Sequence, residues 1–323
     1  MAMNKPKIIV IVGPTGSGKT ALAVQLARTT GGELVSADSR QVYRGMDIGT
    51  GKERFADVPQ HLIDIVNPDE DFTLADFLER AKKVIADIHA RGGAPIVVGG
   101  TGLYVQALVE NWQVPNIAPD KKMRAELEKK SVDELRLELA AIDPEEAKRL
   151  ERGKRYLVRA LEMWRTTGQK PSALKTKNEP LYDALVLGIE IPRAELYARV
   201  DARVDDMFAR GFVDEVRVLL KKYSADLPAF RTIGYREIMD VISSERSESR
   251  NLIRSGACAR SAREAPLDSA PTSRGSARDD ICNHTHAYAR RQLTWLRRMK
   301  YVQWCKTPEE ALTIIAKSGS LPT

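Results

Sequence analysis

Residues Gly13 to Thr20 form a phosphate-binding pattern, in which two glycines separated by four residues precede Lys and Thr. Such glycines let successive backbone N–H groups point into one cradle, and the N-terminus of the following helix adds partial positive charge. Lys19 would reach the outer phosphates, and the Thr20 hydroxyl suits Mg²⁺. Because an apolar run precedes the pattern and a helical pattern follows it, we predict a phosphate site. Its residues are Gly13, Pro14, Thr15, Gly16, Ser17, Gly18, Lys19 and Thr20.

Asp38 lies at the end of a second apolar run, ELVSADS (Glu33 to Ser39). Ligands of open α/β sheets bind at the carboxyl ends of the strands, so this carboxylate is expected to face the same ligand as the phosphate loop. It could hold Mg²⁺ or accept a proton from a nucleophile. A simple turn cap stays an open alternative, because Asp is common at turns.

A third apolar run, APIVVGG (Ala94 to Gly100), ends in two glycines followed by Thr101. A phosphate-loop ATPase carries an acidic residue at this strand end, where it organises Mg²⁺ and water. Here the double glycine permits another molecule to approach the backbone, and Thr101 offers a neutral hydroxyl. The missing acid argues against nucleotide hydrolysis.

Arginines recur outside the phosphate-loop half of the chain, many of them beside Tyr, Phe or Trp. Basic side chains interleaved with aromatic rings are typical of surfaces that bind a nucleic-acid backbone with unstacked bases. A single arginine could equally belong to a solvated helix face, but the set as a whole favours RNA. The set is Arg124, Arg155, Arg159, Arg199, Arg203, Arg231, Arg236, Arg290, Arg291, Arg297 and Arg298.

The elements that position these residues alternate between strand and helix. The runs Lys7–Gly13, Glu33–Ser39 and Ala94–Gly100 are apolar and rich in β-branched residues, and amphipathic patterns separate them. This order predicts an α/β fold whose parallel sheet, like that of a P-loop NTPase, is flanked by helices. Residues 1–115 are expected to form the first part of that core.

From about Pro115 the sequence becomes densely charged and almost continuously helical. Ser131 and Glu134 predict a capping box, and Asp143 before a proline predicts a helix start. The run ALVLGIEI (Ala184 to Ile191) then returns to strand character. We therefore predict an all-helical insertion over residues 116–180, and completion of the core with C-terminal helices over residues 181–323.

Residues 243–283 are dominated by Ser, Arg, Ala and Pro and keep no hydrophobic period, so they are predicted to form a disordered loop. Cys282, His284 and His286 lie at its end, but their spacing matches no standard zinc finger.

Chain length, net charge and cysteine content indicate the general class of protein. The 323 residues carry a formal net charge of +7, which favours an anionic partner. Three cysteines form no paired framework, as expected in a reducing cytosol. No run approaches the ~20 apolar residues of a membrane span. We expect a soluble, cytoplasmic protein.

Together these segments resemble the tRNA dimethylallyltransferases, or isopentenyl-tRNA transferases, over essentially the whole chain except residues 243–283. The resemblance is carried, in family order, by GPTGSGKTALA, SADSRQVYRGMDIGTGK, HLIDIVNP, GGTGLYVQAL, RALEMWRTTGQKPS, RTIGYRE and YARRQLTWLRR.

The resemblance implies transfer of a dimethylallyl group from dimethylallyl diphosphate to N6 of the adenosine 3′ of the anticodon, which releases diphosphate and forms N6-isopentenyladenosine. The acceptor base would be flipped out of the tRNA anticodon stem-loop, and the helical insertion would bind that tRNA. Mg²⁺ on Thr20 is the implied cofactor. We expect a monomer to suffice.

The resemblance also implies roles for individual residues. The backbone amides of residues 15–20, Lys19 and Arg203 would stabilise the leaving diphosphate. Asp38 would orient the amine and take its proton, and Thr101 would hydrogen-bond the base edge. The residues expected to bind tRNA are Asp38, Ser39, Arg40, Gln41, Thr101, Arg124, Arg155, Tyr156, Leu157, Val158, Arg159, Arg231, Arg236, Arg290, Arg291 and Arg297.

Three other functions stay open at this point. An adenine-nucleotide isopentenyltransferase of the cytokinin type would share the phosphate loop and Asp38 but need no helical insertion. A small-molecule P-loop kinase would turn over ATP, which a prenyltransferase does not. A non-catalytic RNA-binding protein would need neither an intact loop nor Asp38.

Overall fold

The computed structural model describes residues 5–150, 153–174, 176–243 and 271–318, with no side chains for 271–276. The chain divides into two compact units. The core unit consists of Met1–Phe72, Arg80–Gln106 and Tyr182–Thr323, and the helical unit consists of Thr73–Glu79 and Ala107–Leu181.

The core unit is built on one parallel sheet. The strands of the described chain are β1 (Lys7–Val12), β2 (Glu33–Ser36), β3 (Gln60–His61), β4 (Pro95–Gly99), β5 (Trp112–Gln113), β6 (Thr176–Lys177), β7 (Asp183–Ile189) and β8 (Gln303–Cys305). Six of them pair in the order β3-β2-β4-β1-β7-β8, and every neighbouring pair is parallel. The predicted α/β core with a parallel sheet is confirmed.

The described chain also contains helices in both units. They are α1 (Lys19–Thr30), α2 (Leu74–Ala90), α3 (Gly102–Val109), α4 (Lys121–Glu128), α5 (Val132–Ile142), α6 (Pro144–Arg149), α7 (Lys154–Thr167), α8 (Arg193–Ala209), α9 (Phe212–Leu220), α10 (235–243), α11 (Pro271–Leu296) and α12 (Pro308–Ser318). A 3₁₀ turn covers Pro228–Arg231.

The register of the central strands places their carboxyl ends side by side. Residues 8–12 of β1 are buried, as expected for a strand covered on both faces. The β1–β4 register pairs Val12 with Gly99, so the loops that follow these two strands leave the sheet next to each other. A Cβ on Gly99 would collide with the backbone of Ala37, which explains the glycine there. The phosphate loop, the residues after β2 and the residues after β4 therefore meet at one edge.

The helical unit has a core of its own. Leu127, Leu135, Leu139, Leu157 and Leu161 are buried together between α4, α5 and α7. The predicted caps are confirmed. Ser131 and Glu134 form a reciprocal capping box on α5, and Asp143 caps α6. The short strands β5 and β6 pair antiparallel in the same unit.

The disordered loop predicted for residues 243–283 is wrong for its last part, because residues 271–283 belong to α11. Ile281 and Cys282 are buried in a cluster with Val204 and Met207 of α8, so α11 is held by packing against α8. Composition averages over a segment and misses a helix whose apolar side consists of a few spaced residues. Residues 244–270 lie outside the described part of the chain.

Among the described helices, none is both long enough and apolar enough to cross a lipid bilayer.

Candidate active site

A cavity of about 440 Å³ opens at the carboxyl ends of β1, β2 and β4 in the core unit. Its lining includes Lys19 and Thr20 of the phosphate loop, Asp38 after β2, Arg203 on α8 and Tyr288 on α11. This is the position at which open parallel sheets bind ligands. The tertiary structure thus gathers cations, a carboxylate and hydroxyls from four distant stretches of sequence around one space.

The phosphate loop has the backbone geometry that a cradle requires. Gly16 and Gly18 have φ angles of 81° and 86°, and Gly18 precedes the first residue of α1. Glycine adopts these left-handed conformations without steric cost. The backbone N–H of Ser17 donates to the carbonyl of Pro14 at 3.2 Å, which closes the turn. The N-terminus of α1 consequently faces the cavity, where an anion is favoured.

Lys19 projects from the first turn of α1 and donates to the carbonyl of Pro14 at 3.3 Å. Desolvation by burial lowers the pKa of Lys19 to about 8, against the opposing effect of Asp38, while nearby Arg203 lowers the pKa further. An anionic ligand beside the ammonium would stabilise its charged form. A phosphate bound beside Lys19 would therefore keep this side chain protonated.

Asp38 combines a structural role with exposure to the cavity. One carboxylate oxygen, Oδ1, accepts the backbone N–H of Arg40 at 2.8 Å, so the side chain does cap the turn after β2. It also lines the cavity together with Ser39, Arg40 and Gln41. The turn-cap alternative and a chemical role are compatible, because a carboxylate has a second oxygen.

Thr101 supports this turn and is not part of the cavity lining. Its hydroxyl accepts the backbone N–H of Ser39 at 3.0 Å and lies 3.4 Å from the Ser39 hydroxyl. Thr101 therefore positions Ser39, which does line the cavity.

Arg203 reaches the cavity from α8. It donates to the carbonyl of Thr50 at 3.3 Å, and within the described chain it forms no ion pair. Burial lowers the pKa of Arg203, against the opposing influence of Asp38 and Glu53. A half-buried guanidinium without a bound carboxylate is available to an anionic ligand.

The loop that receives Arg203 is organised by a residue that the sequence analysis did not identify. The carboxylate of Glu215 on α9 accepts the backbone N–H groups of Asp47, Ile48 and Gly49 at 2.9, 2.7 and 3.2 Å. The Tyr235 hydroxyl donates to the same carboxylate at 2.6 Å. Three successive amides gathered on one carboxylate determine the course of the loop. The sequence signal for this contact was the stretch GMDIGTGK. It has no hydrophobic periodicity, so a loop of this kind needs support from another part of the chain.

Two residues of α11 were also missed, although the YARRQ stretch was singled out for its arginines. Burial, together with the charge of Asp38, raises the pKa of Tyr288 to about 12, so its hydroxyl stays protonated in the cavity. Gln292 is buried and also lines the cavity. Its side-chain oxygen accepts the backbone N–H of Thr15 at 2.9 Å. The Thr15 amide is thus already engaged, which differs from the expectation that all amides of residues 15–20 face the phosphates.

The remaining candidate arginines of the core unit take different positions. Arg231 and Arg291 line the cavity, and the Arg291 guanidinium lies 5.9 Å from the ring centroid of Tyr288. Arg236 lines a neighbouring cavity of about 670 Å³. Arg290 donates to the Tyr197 hydroxyl at 2.6 Å, and Arg297 lies 3.6 Å from a carboxylate oxygen of Glu190.

In the helical unit, the expected tRNA residues divide into exposed and structural ones. Arg155 and Tyr156 are exposed, Tyr156 at 64%. The side chains of Leu157 and Val158 belong to the core of that unit. Arg124 and Arg159 both bind the fully buried carboxylate of Glu162.

The side chains of Cys282, His284 and His286 on α11 are engaged separately. His284 Nδ1 lies 2.6 Å from the Glu237 carboxylate, and His286 lies 2.9 Å from Asp201 and stacks on the Tyr197 ring. Cys282 is buried, and burial raises the pKa of its thiol to about 11. Within the described residues, no group of three or more His, Cys, Asp or Glu side chains is arranged to hold a metal ion.

The oxygen donors of the cavity fit Mg²⁺ better than a softer metal. The Thr20 hydroxyl and the Asp38 carboxylate both line the cavity, and Mg²⁺ is bound by one or two such oxygens plus phosphate oxygens and water. The hydroxyl of Ser17 is buried and has no hydrogen-bond partner in the described chain, which leaves a further oxygen in the loop. These residues are compatible with a magnesium ion that arrives with a phosphorylated substrate.

Comparison with known families agrees with this geometry. The sequence model of the family described as "IPP transferase" matches residues 41–299, and a second one, "Isopentenyl transferase", matches residues 6–62. A tRNA dimethylallyltransferase of Thermomicrobium roseum is 44% identical over 94% of this chain and 87% of its own length. Another, of Geobacter sulfurreducens, is 44% identical over 95% of this chain and 94% of its own length.

Solved structures give the same result. The full-length tRNA isopentenylpyrophosphate transferase of Bacillus halodurans is 34% identical, with a TM-score of 0.67 over 98% of this chain and 97% of that one. A eukaryotic dimethylallyltransferase whose structures show it acting on tRNA is 26% identical, with a TM-score of 0.75 over 97% of this chain and 79% of that one. From the extent of the family match and the identity to these relatives, the chain belongs to the IPP transferase family of tRNA dimethylallyltransferases.

Proposed function

We propose that this protein transfers the dimethylallyl group of dimethylallyl diphosphate to N6 of the adenosine 3′ of the anticodon in tRNA, with release of diphosphate. The observation that carries the proposal is the cavity in which a phosphate loop faces a carboxylate, Asp38, while β4 ends in glycines instead of an acid. Such a cavity can hold a diphosphate and orient an amine. It lacks the acid at the end of β4 with which a P-loop ATPase organises Mg²⁺ and water.

The leaving diphosphate is the group that the loop stabilises. An adenine amino group is a weak nucleophile, so the allylic carbon develops positive charge as its bond to oxygen stretches, and the diphosphate gains negative charge. Lys19 and Arg203 line the cavity, and together with the amides at the N-terminus of α1 they would stabilise that charge. Mg²⁺ on the Thr20 hydroxyl would neutralise part of the same charge.

Asp38 is the group that handles the amine. When N6 forms its bond to the allylic carbon, it becomes cationic and must lose one proton. Asp38 lines the cavity with a carboxylate of which one oxygen is held by the Arg40 amide, so its orientation is fixed. Asp38 accepts the proton from N6. Thr101 acts through Ser39, whose backbone N–H it accepts and whose hydroxyl would meet the base edge.

The tRNA is bound by cations around and beyond this cavity. Arg40, Arg231 and Arg291 line the cavity, and the aromatic ring of Tyr288 beside Arg291 suits a flipped base. The exposed Arg155 and Tyr156 supply a second contact region in the helical unit. One chain supplies every residue of the proposed site, so we propose that a monomer suffices, acting in the cytoplasm where its tRNA substrate occurs.

An adenine-nucleotide isopentenyltransferase remains the second candidate, because the "Isopentenyl transferase" model matches the phosphate-loop segment. The experiment measures transfer of labelled dimethylallyl diphosphate to an anticodon stem-loop with three adenosines, with AMP as the competing acceptor. Label in RNA from the wild type and none from Asp38→Ala, with RNA binding retained, supports the proposal. Label on AMP alone overturns it in favour of the second candidate.

A further inference from the structure

Gln292 joins two loops that are distant in sequence. Its side chain is buried, with 6% exposure, and extends from α11 to the sheet edge. The side-chain oxygen accepts the Thr15 N–H at 2.9 Å, and the side-chain nitrogen donates to the Gly100 carbonyl at 2.8 Å. The two bonds use opposite ends of the carboxamide, which sets its orientation.

The location of that carboxamide is significant for phosphate binding. Because β1 and β4 are paired with Val12 opposite Gly99, the phosphate loop and the Gly99–Gly100 turn leave the sheet as neighbours. Gln292 lies between them, and a Cβ on Gly100 would collide with its nitrogen. In P-loop NTPases, the ion held between the loop and the acid of the adjacent strand bridges the two outer phosphates of a nucleoside triphosphate. In this protein, Gln292 joins the same two loops through its bonds to Thr15 and Gly100.

We propose that Gln292 limits the phosphate chain accepted by this loop to a diphosphate. The carboxamide removes the Thr15 amide from the cradle and fills the space into which a third phosphate would extend. This inference rests on the proposed function, since it explains how a nucleotide-type loop selects an allylic diphosphate in a cell rich in ATP. Selection comes from occupied space and from a donor already in use, so it acts on the phosphate chain and not on the rest of the ligand.

The test compares two inorganic probes that differ by one phosphate unit. Isothermal titration measures the dissociation constants of diphosphate and tripolyphosphate, each with Mg²⁺, for the wild type, Gln292→Ala and Gln292→Glu. The exposed Gln303→Ala on β8 is the matched control. We expect the wild type and the control to prefer diphosphate by about tenfold or more, a difference that one charge-assisted hydrogen bond can supply. Gln292→Ala is expected to reduce that preference to about threefold or less.

The glutamate variant separates space from charge. Gln292→Glu keeps the volume and the acceptor for Thr15 but loses the donor to Gly100 and adds a negative charge. It is therefore expected to weaken the binding of both probes and to weaken tripolyphosphate more. A ratio of dissociation constants that stays unchanged in Gln292→Ala overturns the proposal, and so does a wild type that binds tripolyphosphate as tightly as diphosphate. If Gln292→Ala does not fold, Gln292→Met keeps the packing and is judged by the same ratio.

A ratio of two affinities distinguishes this role from a structural one, because general loosening of the loop weakens both probes alike. It also separates the inference from the proposed function. Normal transfer of the dimethylallyl group with an unchanged ratio removes Gln292 as the selecting residue and leaves the function intact. Absence of transfer by the wild type to any acceptor removes the proposed function on which the inference rests.

Discussion

The arginines of the two units differ in what they bind. In the core unit, Arg203 lines the cavity and contacts a carbonyl oxygen, and within the described residues it has no carboxylate at ion-pair distance. In the helical unit, Arg124 and Arg159 bind one buried carboxylate, that of Glu162, at 2.9 and 2.6 Å. Glu162 accepts the Asp120 N–H as well, at 2.7 Å.

The difference shows that the partner decides the role of an arginine. Burial alone would raise the pKa of Glu162, but hydrogen bonds from Arg124 and Arg159 hold that pKa below its usual value. Removing one member of such a buried group leaves a charge without compensation. An arginine that lines the cavity without a carboxylate partner does not stabilise the fold in this way, because its charge has no counterion until an anion binds. The first kind stabilises the fold, and the second kind serves a ligand.

The largest effect is expected from Arg203→Ala. Loss of a preorganised cation beside the leaving group should lower kcat/KM for dimethylallyl transfer by about 10²–10³-fold. The free energy of unfolding should change little, because the guanidinium forms no ion pair in the described chain. Steady-state kinetics and urea unfolding measure the two effects. The exposed Arg210→Ala, directly after the last residue of α8, is the control. A variant that loses stability in proportion to activity would contradict the division of roles.

Glu162→Ala should show the reverse pattern. It leaves Arg124 and Arg159 without their shared carboxylate and is expected to lower the free energy of unfolding by about 3 kcal/mol. Transfer activity measured well below the unfolding midpoint should fall far less than in Arg203→Ala. The exposed Glu126→Ala on α4 should stay within about 0.5 kcal/mol of the wild type. Equal stability of the two glutamate variants would show that the buried group is dispensable.

A smaller effect is expected from Glu215→Gln, which tests whether Arg203 needs its loop. An amide group cannot accept from all three backbone N–H groups of residues 47–49 as the carboxylate does. We expect kcat/KM to fall by about tenfold, with most of the change in KM for dimethylallyl diphosphate. The exposed Asp214→Asn, next in sequence, should behave like the wild type. If kcat alone changes, Glu215 does not act through diphosphate binding.

The last expected effect leaves the sequence unchanged and concerns pH. The pKa of Lys19 is lowered to about 8, so the ammonium of the free enzyme loses its proton as the pH rises through that value. Because the charged form binds phosphate, kcat/KM should follow the charged fraction of Lys19 and approach a tenfold decrease per pH unit above pH 8. Lys19→Arg, which stays charged, should remove this decline. A profile that is flat from pH 7 to 9.5 in the wild type would contradict the lowered pKa.

Much of the framework was predictable because it is local. The phosphate loop, the strands before it and the caps of α5 and α6 depend on residues within a few positions of one another, and the parallel sheet follows from the order of strands and helices. The short edge strands β3 and β8 were not predicted, since two or three residues carry no measurable period. The part of α11 before residue 284 was also not predicted, because its packing partners lie on α8, far away in sequence.

The sequence by itself determined the chemistry that the site can contain, because glycine spacing and residue types act over a few residues. It did not show which side chain occupies the space beside the phosphate loop. Gln292 and Thr15 are 277 positions apart in the chain, but the Gln292 Oε1 atom lies 2.9 Å from the Thr15 backbone nitrogen in the fold. The same holds for Glu215 and residues 47–49, and for Glu162, which turns two candidate tRNA arginines into structural ones. Only the tertiary structure decided these pairings, because burial and partner choice depend on which distant segments pack together.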